Sequence, residues 1–152
     1  MRHWLVKSEP GDYSIEDLRR DGTTHWDGVR NYQARNFMRD MQIGDRLLYY
    51  HSSAKPPGVI GLAEVVREAY PDHTAWDAES DHFDEKSTPD DPRWFMVDIG
   101  FIERFPRLVP LDELREQPEL AGMPLLNRSR LSVQPVSPAE FDLIVDLARR
   151  ES

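Results

Sequence analysis

Lysine, serine and glutamate stand side by side at Lys7, Ser8 and Glu9, placing an ammonium, a hydroxyl and a carboxylate at the end of one predicted strand. Such a set can move protons, hold a polar ligand, or close as a plain salt bridge. A second group lies in residues 26–40, WDGVRNYQARNFMRD. Trp26 offers a ring to stack on or to bury, and Val29 an apolar contact. Asn31 can donate and accept at once, as the edge of a nucleic-acid base requires, or it can cap the helix that follows. Tyr32 adds a ring, and Arg30 and Arg35 add guanidinium forks of the kind that hold phosphate. The third group is YYHSSAKPPG, where strand alternation puts Tyr49 and His51 on one face and Tyr50 and Ser52 on the other. One tyrosine is expected to pack and the other to line a cavity, with Tyr50 the inward one. Lys55, stiffened by two following prolines, is either aimed at a phosphate or solvated. Arg128 and Arg130 leave one face of a predicted strand with Ser132 next in period, a basic edge able to hold a phosphate while a base is read.

Catalytic signatures are missing: the chain has no G-x-S-x-G, P-loop, H-E-x-x-H or dinucleotide fingerprint. The acids and histidines between positions 72 and 85 lack a recognised metal spacing and read as a solvated loop, so neither metal nor cofactor is expected. With no cysteine, disulfides, thiolate metal sites and cysteine nucleophiles are excluded together. The opening MRHWLVKSEPGD turns polar too early for a signal peptide, and no run approaches the ~20 apolar residues of a membrane span. A cytoplasmic protein without a membrane partner is the expectation. Its 152 residues, 39% hydrophobic and 31% charged, suit one globular domain, 1–152. A net charge of -9 argues against loose binding to duplex nucleic acid. Segment 71–91, however, holds eight acids against one lysine, so a local basic site elsewhere is compatible with that total.

The elements that would position these groups follow from patterning. Strands are expected at 3–7, 46–51, 58–68, 94–104 and 130–134, the fourth showing Phe95, Val97, Ile99 and Phe101 in period two. Gly61 within the third suggests a bulge or a close backbone approach. Ser14 caps a short helix with Asp17 at N3 and Gly22 at its end. The stretch after Asn31 is expected to be helical, with Tyr32, Phe37 and Met41 near the spacing of one face, and a short helix follows Pro110. Ser137, Pro138 and Glu140 open the last helix, with Phe141, Ile144, Val145 and Ala148 down one face. Strand spacing this irregular excludes a doubly wound parallel sheet and favours a small curved sheet or barrel flanked by helices.

Taken in order, WLVKSEP, WDGVRNYQARN, YYHSSAKPPGVIGLAEVVREAYPD, RWFMVDIGF and LLNRSRLSVQPVS resemble the EVE domain, a PUA-like family related to YTH and other modified-base readers, over nearly the whole chain. The resemblance implies an α+β fold, a PUA-like curved, mostly antiparallel β-barrel with peripheral helices. It also implies a concave pocket that accepts a base flipped from its strand, and a non-catalytic role on DNA or RNA carrying a modified base such as a modified cytosine. Residues and resemblance together assign base binding to Lys7, Ser8, Glu9, Trp26, Val29, Asn31, Tyr32, Tyr50, His51 and Ser52. They assign phosphate binding to Arg30, Arg35, Lys55, Arg128, Arg130 and Ser132. The competing reading is an amidohydrolase on modified nucleosides, as in related ASCH-type domains, worked by Lys7, Ser8 and Glu9. A third reading, motivated by the acidic segment, is a protein-interaction or small-ligand module.

Overall fold

In the computed structural model, which describes residues 1–128 and 130–150, the strands are β1 (His3–Ser8), β2 (Thr23–His25), β3 (Arg46–His51), β4 (Gly58–Pro71), β5 (Phe95–Pro110) and β6 (Val133–Val136). They form one sheet in the order β2-β5-β4-β3-β1-β6; β1 and β3 run parallel and the other neighbours antiparallel. The mixed class and mostly antiparallel pairing agree with the sequence. The ladder does not close into a full barrel, because β2 and β6 end it at opposite edges.

Both faces of the sheet are covered. On one, α1 (Ile15–Asp21) and α2 (Tyr32–Asp40) set Ile15, Leu18, Ala34 and Met38 against Trp4, Tyr49, Ala63, Val97 and Ile99. On the other, α3 (Leu111–Arg115), α4 (Pro124–Asn127) and α5 (Pro138–Arg149) set Leu114, Leu125, Phe141, Ile144 and Ala148 against Leu5, Leu48, Val59 and Phe105. Each large apolar side chain buried this way contributes about 1.5–3 kcal/mol. The long strands β4 and β5 serve both cores, and their ladder shifts register where they bend. At Gly61 a Cβ would meet the Ile15 side chain at 2.6 Å and the Glu103 carbonyl at 2.9 Å, so the missing side chain lets α1 lie on β4.

Helix ends follow local chemistry. Ser14 with Asp17, and Ser137 with Glu140, each form a reciprocal capping box. Asn31 caps α2, its side-chain oxygen accepting the Ala34 N–H at 2.9 Å. The buried face of α2 is Ala34 and Met38 with Phe37 and Met41 beside them; Tyr32, expected on one face with Phe37 and Met41, is 51% exposed. The strand expected at 130–134 begins only at Val133, because Pro124 starts the helical turn α4 and Arg128 caps it. β2 carries no apolar pattern and is held by backbone pairing, with His25 opposite Asp98.

The acidic stretch 71–91 is more than a solvated excursion. Most of its acids are exposed, yet Asp72 and Ala75 are fully buried within it, and Asp84 accepts the Trp94 indole N–H at 2.7 Å.

Candidate functional site

The ends of β1 and β3, the approach to β6, the turn at 11–13, the β2–α2 connection and the tip of the acidic stretch surround an open cleft of about 1000 Å³. Nine sequence-assigned residues line it: Lys7, Ser8, Glu9, Trp26, Val29, Arg30, Ser52, Arg130 and Ser132. Four separate motifs therefore converge on one hollow.

Trp26 is placed by the sheet. Its backbone N–H donates to the Val97 carbonyl at 2.8 Å, continuing the β2–β5 pairing, and its ring meets Tyr49 edge-on with centroids 5.6 Å apart. Tyr49 is fixed in turn by donating its hydroxyl to the Tyr13 carbonyl at 2.7 Å; burial pushes that hydroxyl well up, so it stays protonated. The indole is 9% exposed, and its N–H has no partner among the described residues. The indoles of Trp4 and Trp94 by contrast donate to Asp45 and Asp84. A largely buried indole normally finds an acceptor, so Trp26 offers an open donor and an apolar surface to whatever enters.

Arg30 also lines the cleft, but its guanidinium is occupied. It donates to the carboxylate of Asp72 at 3.1 Å, to Thr74 Oγ1 at 3.3 Å, to the Val29 carbonyl at 3.1 Å and twice to the His82 carbonyl, at 3.0 and 2.6 Å. Asp72, with no exposed side-chain surface, also accepts the N–H of Gly28 at 2.8 Å and of Thr74 at 2.9 Å. Arg30 is thus a clamp between the β2–α2 connection and the acidic stretch, not the open cation that the phosphate assignment expected. The clamp brings Asp81 and His82 into the cleft wall.

Seven assigned residues lie outside the lining. Asn31 is the helix cap described above. Tyr32 stacks on Trp94 with centroids 4.7 Å apart, and Arg35 covers it at 4.8 Å while donating to the Arg93 carbonyl and the Asn36 side chain. Neither is oriented by the cleft. Tyr49 and Tyr50 are both buried, in opposite cores. His51 accepts the Ile15 N–H at 3.1 Å; burial, then Arg104, push its imidazole down, so it serves α1 as a neutral acceptor. Lys55 and Arg128 are exposed, one in the loop after β3 and the other at the end of α4.

The trio at 7–9 does not act as one unit. Lys7 and Ser8 leave opposite faces of β1, the ammonium of Lys7 lying 5.8 Å from the Tyr50 ring centroid. Burial pushes the Lys7 amine down. The Glu9 carboxylate accepts the Ser53 hydroxyl at 3.2 Å.

Sequence reasoning missed Gly11, Asp12, Tyr13, Thr24, His25, Asp27, Gly28, Asp81 and His82 in the lining. Of these, Gly28 carried a readable signal, the Asp-Gly turn. It sits at φ +76°, and a Cβ there would lie 2.6 Å from the His82 ring. Gly28→Ala is expected to strain the backbone by about 1 kcal/mol and push His82 from the wall, lowering the melting temperature by roughly 2–4 °C in a thermal scan.

Among known proteins, the EVE domain model matches residues 2–147. The chain belongs to the EVE domain family. This EVE domain is 44% identical to thymocyte nuclear protein 1 of Homo sapiens over 168 aligned positions, covering 98% of this chain and 75% of the relative. Its structure matches that of human THYN1 protein in complex with 5-methylcytosine-containing DNA with a TM-score of 0.95 at 43% identity, both chains covered in full. A hypothetical protein from Leishmania major matches at TM-score 0.95 and 51% identity, with 97% of this chain and 94% of that one covered. An ASCH protein of Zymomonas mobilis, at 13% identity and TM-score 0.53, shares the fold alone. The EVE domain here is accordingly an α+β, PUA-like fold with an open sheet.

Proposed function

We propose that this EVE domain is a non-catalytic reader of modified cytosine in DNA, taking one nucleotide out of its strand into the cleft beside Trp26. The observation that carries the reading is the Trp26 indole, held in place by the sheet and Tyr49, with its N–H open to a ligand. The complex of human THYN1 protein with 5-methylcytosine-containing DNA supports the choice of polymer and base. A cavity of about 1000 Å³ is large enough for a nucleotide, lying at the upper end of small-molecule sites.

The energetics favour a modified base. Extruding a base costs a few kcal/mol, while stacking on an aromatic ring returns about 1–3 kcal/mol. A buried methyl group adds about 0.8 kcal/mol, which decides a near balance. Arg130 and Ser132 on the lip, with Arg130 in no ion pair among the described residues, suit one flanking phosphate. Few phosphate contacts agree with an acidic chain.

Titration at fixed salt with otherwise identical oligonucleotides carrying 5-methylcytosine or cytosine tests the reading. Expected is a preference of roughly fourfold for the methylated DNA, equivalent to one methyl group. Equal affinity for both would contradict it, and tighter binding of a matched RNA would move the assignment to the other polymer.

A further inference from the structure

Three side chains from neighbouring strands meet where His25 of β2 lines the cleft, the other two being Asp98 of β5 and Tyr70 of β4. His25 Nδ1 lies 2.9 Å from Asp98 Oδ1 and 2.9 Å from the Tyr70 hydroxyl, which is itself 2.5 Å from the same carboxylate oxygen. Three heavy atoms at mutual hydrogen-bond distance need protons between them. The Asp98 carboxylate supplies none. Tyr70 supplies one, and the short contact places it toward Asp98. The imidazole contacts are then satisfied only if Nδ1 carries its own proton. Burial, and after it Asp98, push the Tyr70 hydroxyl up to about 12, so at neutral pH it keeps its proton. Arg67, 3.5 Å from the Tyr70 ring centroid, steadies the phenol. With its one proton on Nδ1, the imidazole presents a bare lone pair at Nε2. That atom has no protein partner among the described residues, and the His25 side chain, 59% exposed, lines the cleft.

We propose that His25 reads the base, its Nε2 accepting a hydrogen bond from the exocyclic amine of the nucleotide in the cleft, with Asp98 and Tyr70 as positioning residues. The proposal rests on the modified-cytosine reading and sharpens it. Stacking and a methyl niche do not separate 5-methylcytosine from thymine, which carries the same methyl group. The two differ at position 4, amine against carbonyl. An acceptor fixed at Nε2 pairs with the amine and faces the carbonyl lone pairs unpartnered.

The test uses the full chain and oligonucleotides carrying 5-methylcytosine, cytosine or thymine at one position opposite an abasic site, so that unpairing does not favour one of them. The parent protein is expected to bind 5-methylcytosine about tenfold tighter than thymine. His25→Phe is expected to erase that preference. Asp98→Asn can turn an N–H toward Nδ1 and move the ring proton to Nε2, bringing the two oligonucleotides together or inverting their order. Imidazole ¹⁵N spectra of the free protein supply an independent readout: Nε2 of His25 unprotonated in the parent and protonated in Asp98→Asn. An unchanged 5-methylcytosine-to-thymine ratio in His25→Phe, while the parent still prefers 5-methylcytosine to cytosine, overturns the role of His25 and leaves the wider reading intact. Equal loss for every oligonucleotide, with a shallower salt dependence, makes His25 a phosphate contact and likewise overturns it. A parent that does not separate 5-methylcytosine from cytosine removes both.

Discussion

Asp72→Ala is expected to melt roughly 6–12 °C below the parent chain and to lose DNA binding at temperatures where both remain folded. The carboxylate is fully buried and accepts from Arg30, Gly28 and Thr74 at once. Removing it leaves a partly buried guanidinium and two backbone N–H groups without their acceptor. Breaking one partner of a buried, hydrogen-bonded pair costs about 3 kcal/mol at the lower end, and a chain of this size loses about 2–4 °C per kcal/mol. Binding is lost with it, because the same bonds hold Asp81 and His82 against the cleft. The pH dependence has a definite sign. Burial alone would raise the Asp72 carboxyl, but hydrogen bonds from Thr74, Gly28 and Arg30 outweigh it and hold it below the ordinary carboxyl range. The unfolded chain therefore takes up this proton first on acidification. The stabilisation is complete above an unfolded value near 4 and is lost as pH falls through the lower folded value. Melting curves at pH 7 and pH 3 should show a smaller gap between parent and variant at the second than at the first.

Trp26→Ala is expected to remove detectable binding of methylated DNA while leaving a folded protein. The variant loses the stacking surface, about 1–3 kcal/mol, together with a hydrogen bond of about 1 kcal/mol from the indole N–H. In sum that is on the order of a 30- to 1000-fold weakening. Stability falls as well, since the indole packs on Tyr49, so a circular dichroism melt must accompany the titration. Trp26→Phe separates the two effects. It keeps a ring and is expected to retain the methyl preference at roughly fivefold lower affinity, the share of the N–H alone.

Local signals were legible, and long-range ones only where a whole motif announced itself. The capping boxes at Ser14 and Ser137 depend on residues three apart, and both formed as the sequence indicates. The close approach at Gly61 and the convergence of the WDGV, KSE and RLS motifs were also readable. Asn31 left two local readings open, and the structure shows the helix cap: a carboxamide before a helix satisfies an orphan N–H. Arg30 shows another cause. Its partners Asp72, Thr74 and His82 lie 42 to 52 positions away, inside a stretch whose composition reads as solvated loop. The same distance hid His25, since β2 has no apolar period and its partners Tyr70 and Asp98 come from two later strands.

The most direct measurement is a crystal structure of this chain with a short duplex carrying one 5-methylcytosine. The predicted result is a single extruded nucleotide in the cleft, its ring against Trp26 and its 5′ or 3′ phosphate beside Arg130. A duplex bound elsewhere with every base still stacked, and the cleft filled only by solvent, would contradict the account.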